Sequence, residues 1–109
     1  MTHTIFEPRL QVAHEQNRTV VRFLNCTSLN EFSADHIGQQ LAALTTSDQI
    51  VLDMKSIEYI TSTILGHLIA LNKRQRAAGG RLLIENARPA IEDVFRVTQL
   101  DHVMDIRPA

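Results

Sequence analysis

Cysteine, proline and glycine are scarce in this chain of 109 residues, at one, three and four copies, and tryptophan is missing. The lone thiol, Cys26, excludes an intrachain disulfide, a C-x-x-C redox motif and a cysteine-built zinc cage. Neither sign of charge is in surplus: eleven Lys and Arg stand against twelve Asp and Glu, a formal charge of −1. A surface built to neutralise nucleic-acid phosphates carries a basic excess, so no direct nucleic-acid contact is expected. Long hydrophobic runs are lacking too. The stretch Ile64 to Leu71 is broken by Gly66 and His67 and followed by Asn72, Lys73 and Arg74, far short of the ~20 apolar residues of a membrane span. Met1 to Leu10, with His3, Glu7, Pro8 and Arg9, has no apolar core of a secretory signal. A cytoplasmic location is the expectation.

Reaction machinery is equally sparse. There is no G-x-G-x-x-G and no G-x-x-x-x-G-K-[ST], the loops whose backbone amides cradle phosphates. The five histidines, at positions 3, 14, 36, 67 and 102, show neither H-x-x-x-H nor H-E-x-x-H spacing, so they read as surface or structural residues and no metal or cofactor is expected. Cys26 sits in a polar loop with no evident base to activate it. Asp53 follows a buried strand, a place where open α/β sheets put functional groups, but it lacks the acidic pair and the lysine of a phosphoaspartate receiver. Arg74, Arg76 and Arg81 read as a solvated helix end. A small enzyme would need converging titratable groups, and no such set is present.

What is there is a composition of 44% hydrophobic and 21% charged residues, ordinary for one globular domain, here taken as 1–109 with its core over about 10–106. Leu10 to His14 and Thr19 to Leu24 flank a polar link and predict an antiparallel hairpin. Phe32, Ile37, Leu41 and Leu44 form a helical stripe, with Asn30 or Ser33 as its cap. Ile50-Val51-Leu52 and Leu82-Leu83-Ile84 are continuous apolar runs of the kind found in parallel strands buried on both faces. A second helix over Ser62 to Ala78 buries Ile64, Leu65, Leu68, Ile69 and Leu71, and carries His67, Asn72, Lys73, Arg74 and Arg76 on its polar side. Gly79-Gly80 stops it, with Gly79 as the left-handed residue. Pro89 suits the first position of a third helix, whose inward stripe is Ile91, Val94, Phe95 and Thr98. A short edge strand over His102 to Ile106 ends the order β-β-α-β-α-β-α-β. This is an α/β fold: a mixed sheet of four to five strands with an N-terminal hairpin and helices mainly on one face.

The Thr61-Ser62-Thr63 step reads first as a helix cap, in which Ser62 or a threonine neighbour accepts a bond from a free amide. Its surroundings add a resemblance. Val51 to Gly66, VLDMKSIEYITSTILG, is similar to the STAS family of anti-sigma factor antagonists: a buried strand ending in Asp, a short crossing, then D-S-[ST]-G-L-G opening a helix. The similarity continues through Asn72 to Leu82, with a basic helix end and a Gly-Gly stop, and through Arg88 to Asp101, with the last helix and its T-x-L ending. Two positions depart from the pattern: Thr61 stands in place of the family's Asp, and Ile64 in place of its Gly.

The resemblance implies a non-enzymatic binding module that captures an anti-sigma factor with serine kinase activity and lets it go once Ser62 is phosphorylated, with a serine phosphatase resetting the cycle. Ser62 matches the family's phosphoacceptor. Asn30, Asp53, Thr61 and Thr63 are the candidate partner contacts, together with Ile64 and His67 if these are exposed, on a surface that includes the loop Asn25 to Asn30. The alternative is a constitutive STAS interaction subunit of a transporter-associated or scaffold complex, in which Thr-Ser-Thr is only a cap.

Overall fold

The computed structural model describes residues 9–24, 27–29, 31–44 and 48–108. The hairpin forms as expected: β1 (Arg9–Glu15) and β2 (Arg18–Leu24) pair antiparallel across Gln16 and Asn17. The two continuous apolar runs are β4 (Gln49–Asp53) and β6 (Arg81–Ala87), parallel to β2 and to each other. β7 (Asp105–Pro108) pairs parallel on the outer side of β6, so the five-stranded sheet runs β1-β2-β4-β6-β7. Parallel neighbours need crossovers. These are supplied by α1 (Glu31–Ala42), α2 (Ser62–Ala77) and α3 (Pro89–Val97), the last followed by a 3-10 turn over Leu100–His102.

Alternation along the strands sorts the sheet into two unlike faces. Val21, Phe23, Ile50, Leu52, Leu82 and Ile84 join a single buried cluster with Ile37 and Leu41 of α1, Leu65, Leu68 and Leu71 of α2, and Ile91 and Phe95 of α3. On the opposite face, among the described residues, Val20, Val51 and Leu83 form a separate small buried cluster, aligned in register across three strands. Around them lie the ion pairs Arg18–Glu15, Arg22–Asp53 and Arg81–Asp105. Long charged side chains cover apolar surface with their stems, so three small aliphatic residues are buried there without a helix.

Helix ends follow local chemistry. Gly79 has φ +85°, and the amides of Gly80 and Gly79 donate to the carbonyls of Gln75 and Arg76, closing the α2 C-terminus as a Schellman motif. A Cβ on Gly80 would overlap the Asp48 carbonyl and the Gln75 amide, so the second glycine is needed for close approach. Pro89 opens α3 as expected. Thr98 points away from the core and instead donates its hydroxyl to the Val94 and Phe95 carbonyls. The cap expected of Asn30 or Ser33 for α1 falls outside the described side chains, as does Cys26.

The polar side of α2 needs a correction. Asn72 is buried, its amide donating to the Val103 carbonyl at 3.2 Å, and buried Gln75 donates to the Asp48 and Arg81 carbonyls. Both buried side-chain amides thereby find the acceptors that burial of a polar group requires. The basic end of α2 is stitched inward as well: Arg74 donates to the Leu41 carbonyl at the end of α1, and Arg76 to Val103 at 2.8 Å.

Candidate functional site

Two short strands that carry too few residues to show a period position the α2 N-terminus. β3 (Ser28–Leu29) and β5 (Tyr59–Ile60) pair parallel, Ser28 beside Tyr59 and Leu29 beside Ile60. The Glu58 amide donates to the Thr27 carbonyl at 2.6 Å and the Thr61 amide to the Leu29 carbonyl at 2.9 Å. Buried Leu29, Ile57 and Ile60 anchor this ribbon in the core. Residues 27–29 are thereby brought against the residues that lead into α2.

Ser62 is the first residue of α2 and is exposed; Thr63 beside it is exposed too. The N-cap is Thr61, in extended conformation (φ −100°, ψ 167°), and no side chain caps the helix. The expected Ser62 or threonine cap bond is therefore not made. The Thr61 hydroxyl points inward, buried and without a hydrogen-bond partner among the described residues. The first helical bond runs from the Leu65 amide to the Thr61 carbonyl at 3.1 Å. The amides of Ser62, Thr63 and Ile64 have no acceptor among the described residues, the usual condition of a helix N-terminus and a favourable one for an anion.

The other expected contacts divide. Ile64 is fully buried and belongs to the core, so it leaves the surface. His67 is half-buried in the seam between α1 and α2, where a Cβ on Gly38 would meet its ring at 2.6–2.9 Å. Gly38 is what lets the ring lie against the α1 backbone. Asn30 lies outside the described residues. Asp53 sits at the carboxyl end of β4, its side chain 15% exposed. One of its oxygens, Oδ1, accepts from the Lys55 amide at 3.0 Å and from Asn86 Nδ2 at 3.1 Å, while Oδ2 faces Arg22 Nε at 3.4 Å. It is a structural hub that closes a turn and holds Asn86 in its left-handed conformation, φ +58°.

One residue of the surface escaped sequence reasoning. Tyr59 looked like another apolar member of the crossing segment, yet it is 59% exposed, three residues before Ser62. Exposed Thr27 and Glu58 flank the same ribbon, and Gly66, one turn along α2 from Ser62, is exposed with open space around its Cα. The resulting patch has an aromatic ring, the hydroxyls of Thr27, Ser62 and Thr63, the Glu58 carboxylate and a flat, side-chain-free step at Gly66. Among the described residues there is no cluster of His, Cys, Asp and Glu able to hold a metal ion, and no helix is long and apolar enough to cross a membrane.

A family model described as STAS domain matches residues 9–109. Similar solved structures include an anti-sigma-factor antagonist (STAS) domain protein from Planctomyces limnophilus, 21% identical, with 92% of this chain and 90% of that chain covered and a TM-score of 0.78. The phosphorylated form of the Bacillus cell fate determinant SpoIIAA is 18% identical, with 90% of each chain covered and a TM-score of 0.64. The murine Solute Carrier 26 family member A9 anion transporter, 13% identical, matches 89% of this chain over 17% of its own length, with a TM-score of 0.68. At these identities the likeness establishes the fold.

Proposed function

The chain belongs to the STAS domain family, and from that premise we propose that it is a regulatory binding module whose docking surface is switched by phosphorylation of Ser62. The unmodified protein captures an anti-sigma factor that is also a serine kinase; phosphate on Ser62 releases it, and a serine phosphatase restores the binding form. The protein itself performs no chemistry in this cycle. The observation that carries the reading is the placement of Ser62: exposed, at the first position of a long helix, with buried Ile64 and Leu65 fixing that helix immediately behind it.

Three hydroxyls lie in sequence here, and they are not equivalent. The Thr61 oxygen is sealed inside, out of reach of a kinase. Ser62 and Thr63 are open to solvent. Phosphate on Ser62 adds about −1.5 to −2 charge beside unclaimed amides at the positive end of the helix dipole, so the fold tolerates it. A partner lying over the patch meets new charge and a strongly hydrated group, and is repelled.

The reading is tested by incubating the protein with the candidate kinase and ATP, then locating phosphate by mass spectrometry. One phosphate on Ser62, absent from Ser62→Ala, is the expected result. A chain left unmodified favours the constitutive interaction subunit instead. Tyr59 supplies a second check, since exposed tyrosines at interface centres are frequent hot spots. In a binding titration Tyr59→Ala is expected to weaken partner affinity by about tenfold, while urea unfolding moves by no more than about 0.5 kcal/mol, as for other exposed positions.

A further inference from the structure

A cavity of about 580 Å³ opens at the carboxyl ends of β2, β4 and β6, on the sheet rather than at the Ser62 patch. Its size is that of sites for small metabolites. Each of the three strands, or the turn leaving it, sends one cation to its wall: Arg22 from β2, Lys55 from the turn after β4, and Arg88 after β6. The carboxylate in the lining, Asp53, has both oxygens engaged by the Lys55 amide, Asn86 and Arg22.

The cations themselves are poorly satisfied. The Lys55 ammonium has no partner among the described residues. Arg22 faces Asp53 through Nε at 3.4 Å, and its side chain is 51% exposed. Arg88 donates Nε to the Lys55 carbonyl at 2.9 Å, which holds its guanidinium at the rim, and faces Glu58 only at 3.6 Å. These pairs are longer than the roughly 2.7–2.9 Å of a strong charge-assisted bond. Three cations on three different elements face one carboxylate in the lining, Asp53, so the wall of the concavity carries a positive excess.

We propose that this cavity binds a small phosphate-bearing anion, with Lys55 as point charge and the half-exposed Arg22 guanidinium as a planar donor to phosphate oxygens. Planar guanidinium donors match phosphate geometry, and an ammonium adds charge without fixed direction. Asn86 and Asp53 hold the frame: the Asp53 carboxylate accepts from Asn86 and from the Lys55 amide and faces Arg22 Nε, which positions both cations at the wall. The volume exceeds that of a bare phosphate, so the favoured occupant is a phosphate ester of a small metabolite.

The test is amide chemical-shift titration of the isotopically labelled protein with ribose 5-phosphate, inorganic phosphate and, as uncharged control, ribose. Saturable shifts at Arg22, Asp53, Lys55 and Asn86 with ribose 5-phosphate, and none with ribose, are expected. Lys55→Gln should weaken binding about tenfold and Lys55→Arg should keep it, as for a charge-assisted contact; Lys55 is exposed, so both variants fold. Equal affinity for inorganic phosphate supports the site with the free ion as occupant. The proposal is overturned by the absence of saturable shifts up to about 10 mM of either phosphate, beyond the millimolar end of weak recognition, by identical shifts with ribose, or by unchanged affinity in Lys55→Gln.

Discussion

Ile64→Ala is expected to lower the stability of the protein by about 2–5 kcal/mol, the range for deleting a buried aliphatic side chain and leaving a cavity, and to leave the partner affinity of the folded molecules unchanged. The side chain has no exposed surface and lies in the cluster that joins the inner face of the sheet to all three helices. Its position in the first turn of α2, two residues from Ser62, makes the outcome diagnostic. A residue contacting the partner would show the reverse: normal urea unfolding and weakened capture. Denaturation and a binding titration corrected for the folded fraction separate the two. The Ile64 side chain fills core space where α2 begins its approach to the sheet.

The fold was legible wherever a period was long enough to read. Ile50-Val51-Leu52 and Leu82-Leu83-Ile84 announced buried parallel strands because both sheet faces bury apolar residues there, one under the helices and one under charged stems. α2 and its glycine stop were legible from a sixteen-residue helix ending in a Schellman motif. The β3–β5 ribbon was not, since two-residue strands have no alternation and are held by pairing with a distant segment. Tyr59 was hidden for the same reason: its exposure depends on which way that ribbon faces. Asn72 misled in the other direction, and Gln75, for which there was no reading from sequence, is buried beside it. A polar side chain in a helix reads as solvent-facing, and only the proximity of the Val103, Asp48 and Arg81 carbonyls makes burial favourable. Ser62 was singled out as the candidate phosphoacceptor by the resemblance, while its exposure, and the burial of the neighbouring Thr61 hydroxyl, depend on how α2 packs against the sheet.

Replacing Ser62 by aspartate should cut affinity for the kinase partner by about 30-fold or more, roughly 2 kcal/mol on the affinity scale, with stability held within about 1 kcal/mol of wild type. The two halves of this expectation have one cause. A carboxylate at the first position of α2 faces the amide ends of Thr63 and Ile64, which have no other acceptor among the described residues, and an acidic group in a helix's first turn contributes about 0.3–1 kcal/mol toward stability. The same charge lies on the open side of the helix, where it must be desolvated before anything docks over Tyr59 and Gly66. Ser62→Ala removes the hydroxyl without adding charge and should bind as the wild type does, yet no longer release on incubation with kinase and ATP. Thermal unfolding of the three proteins, beside affinity capture of the partner, decides the matter. A strongly destabilised Ser62→Asp would place the effect in the scaffold, and an aspartate variant that binds as tightly as alanine would remove Ser62 from the docking surface altogether.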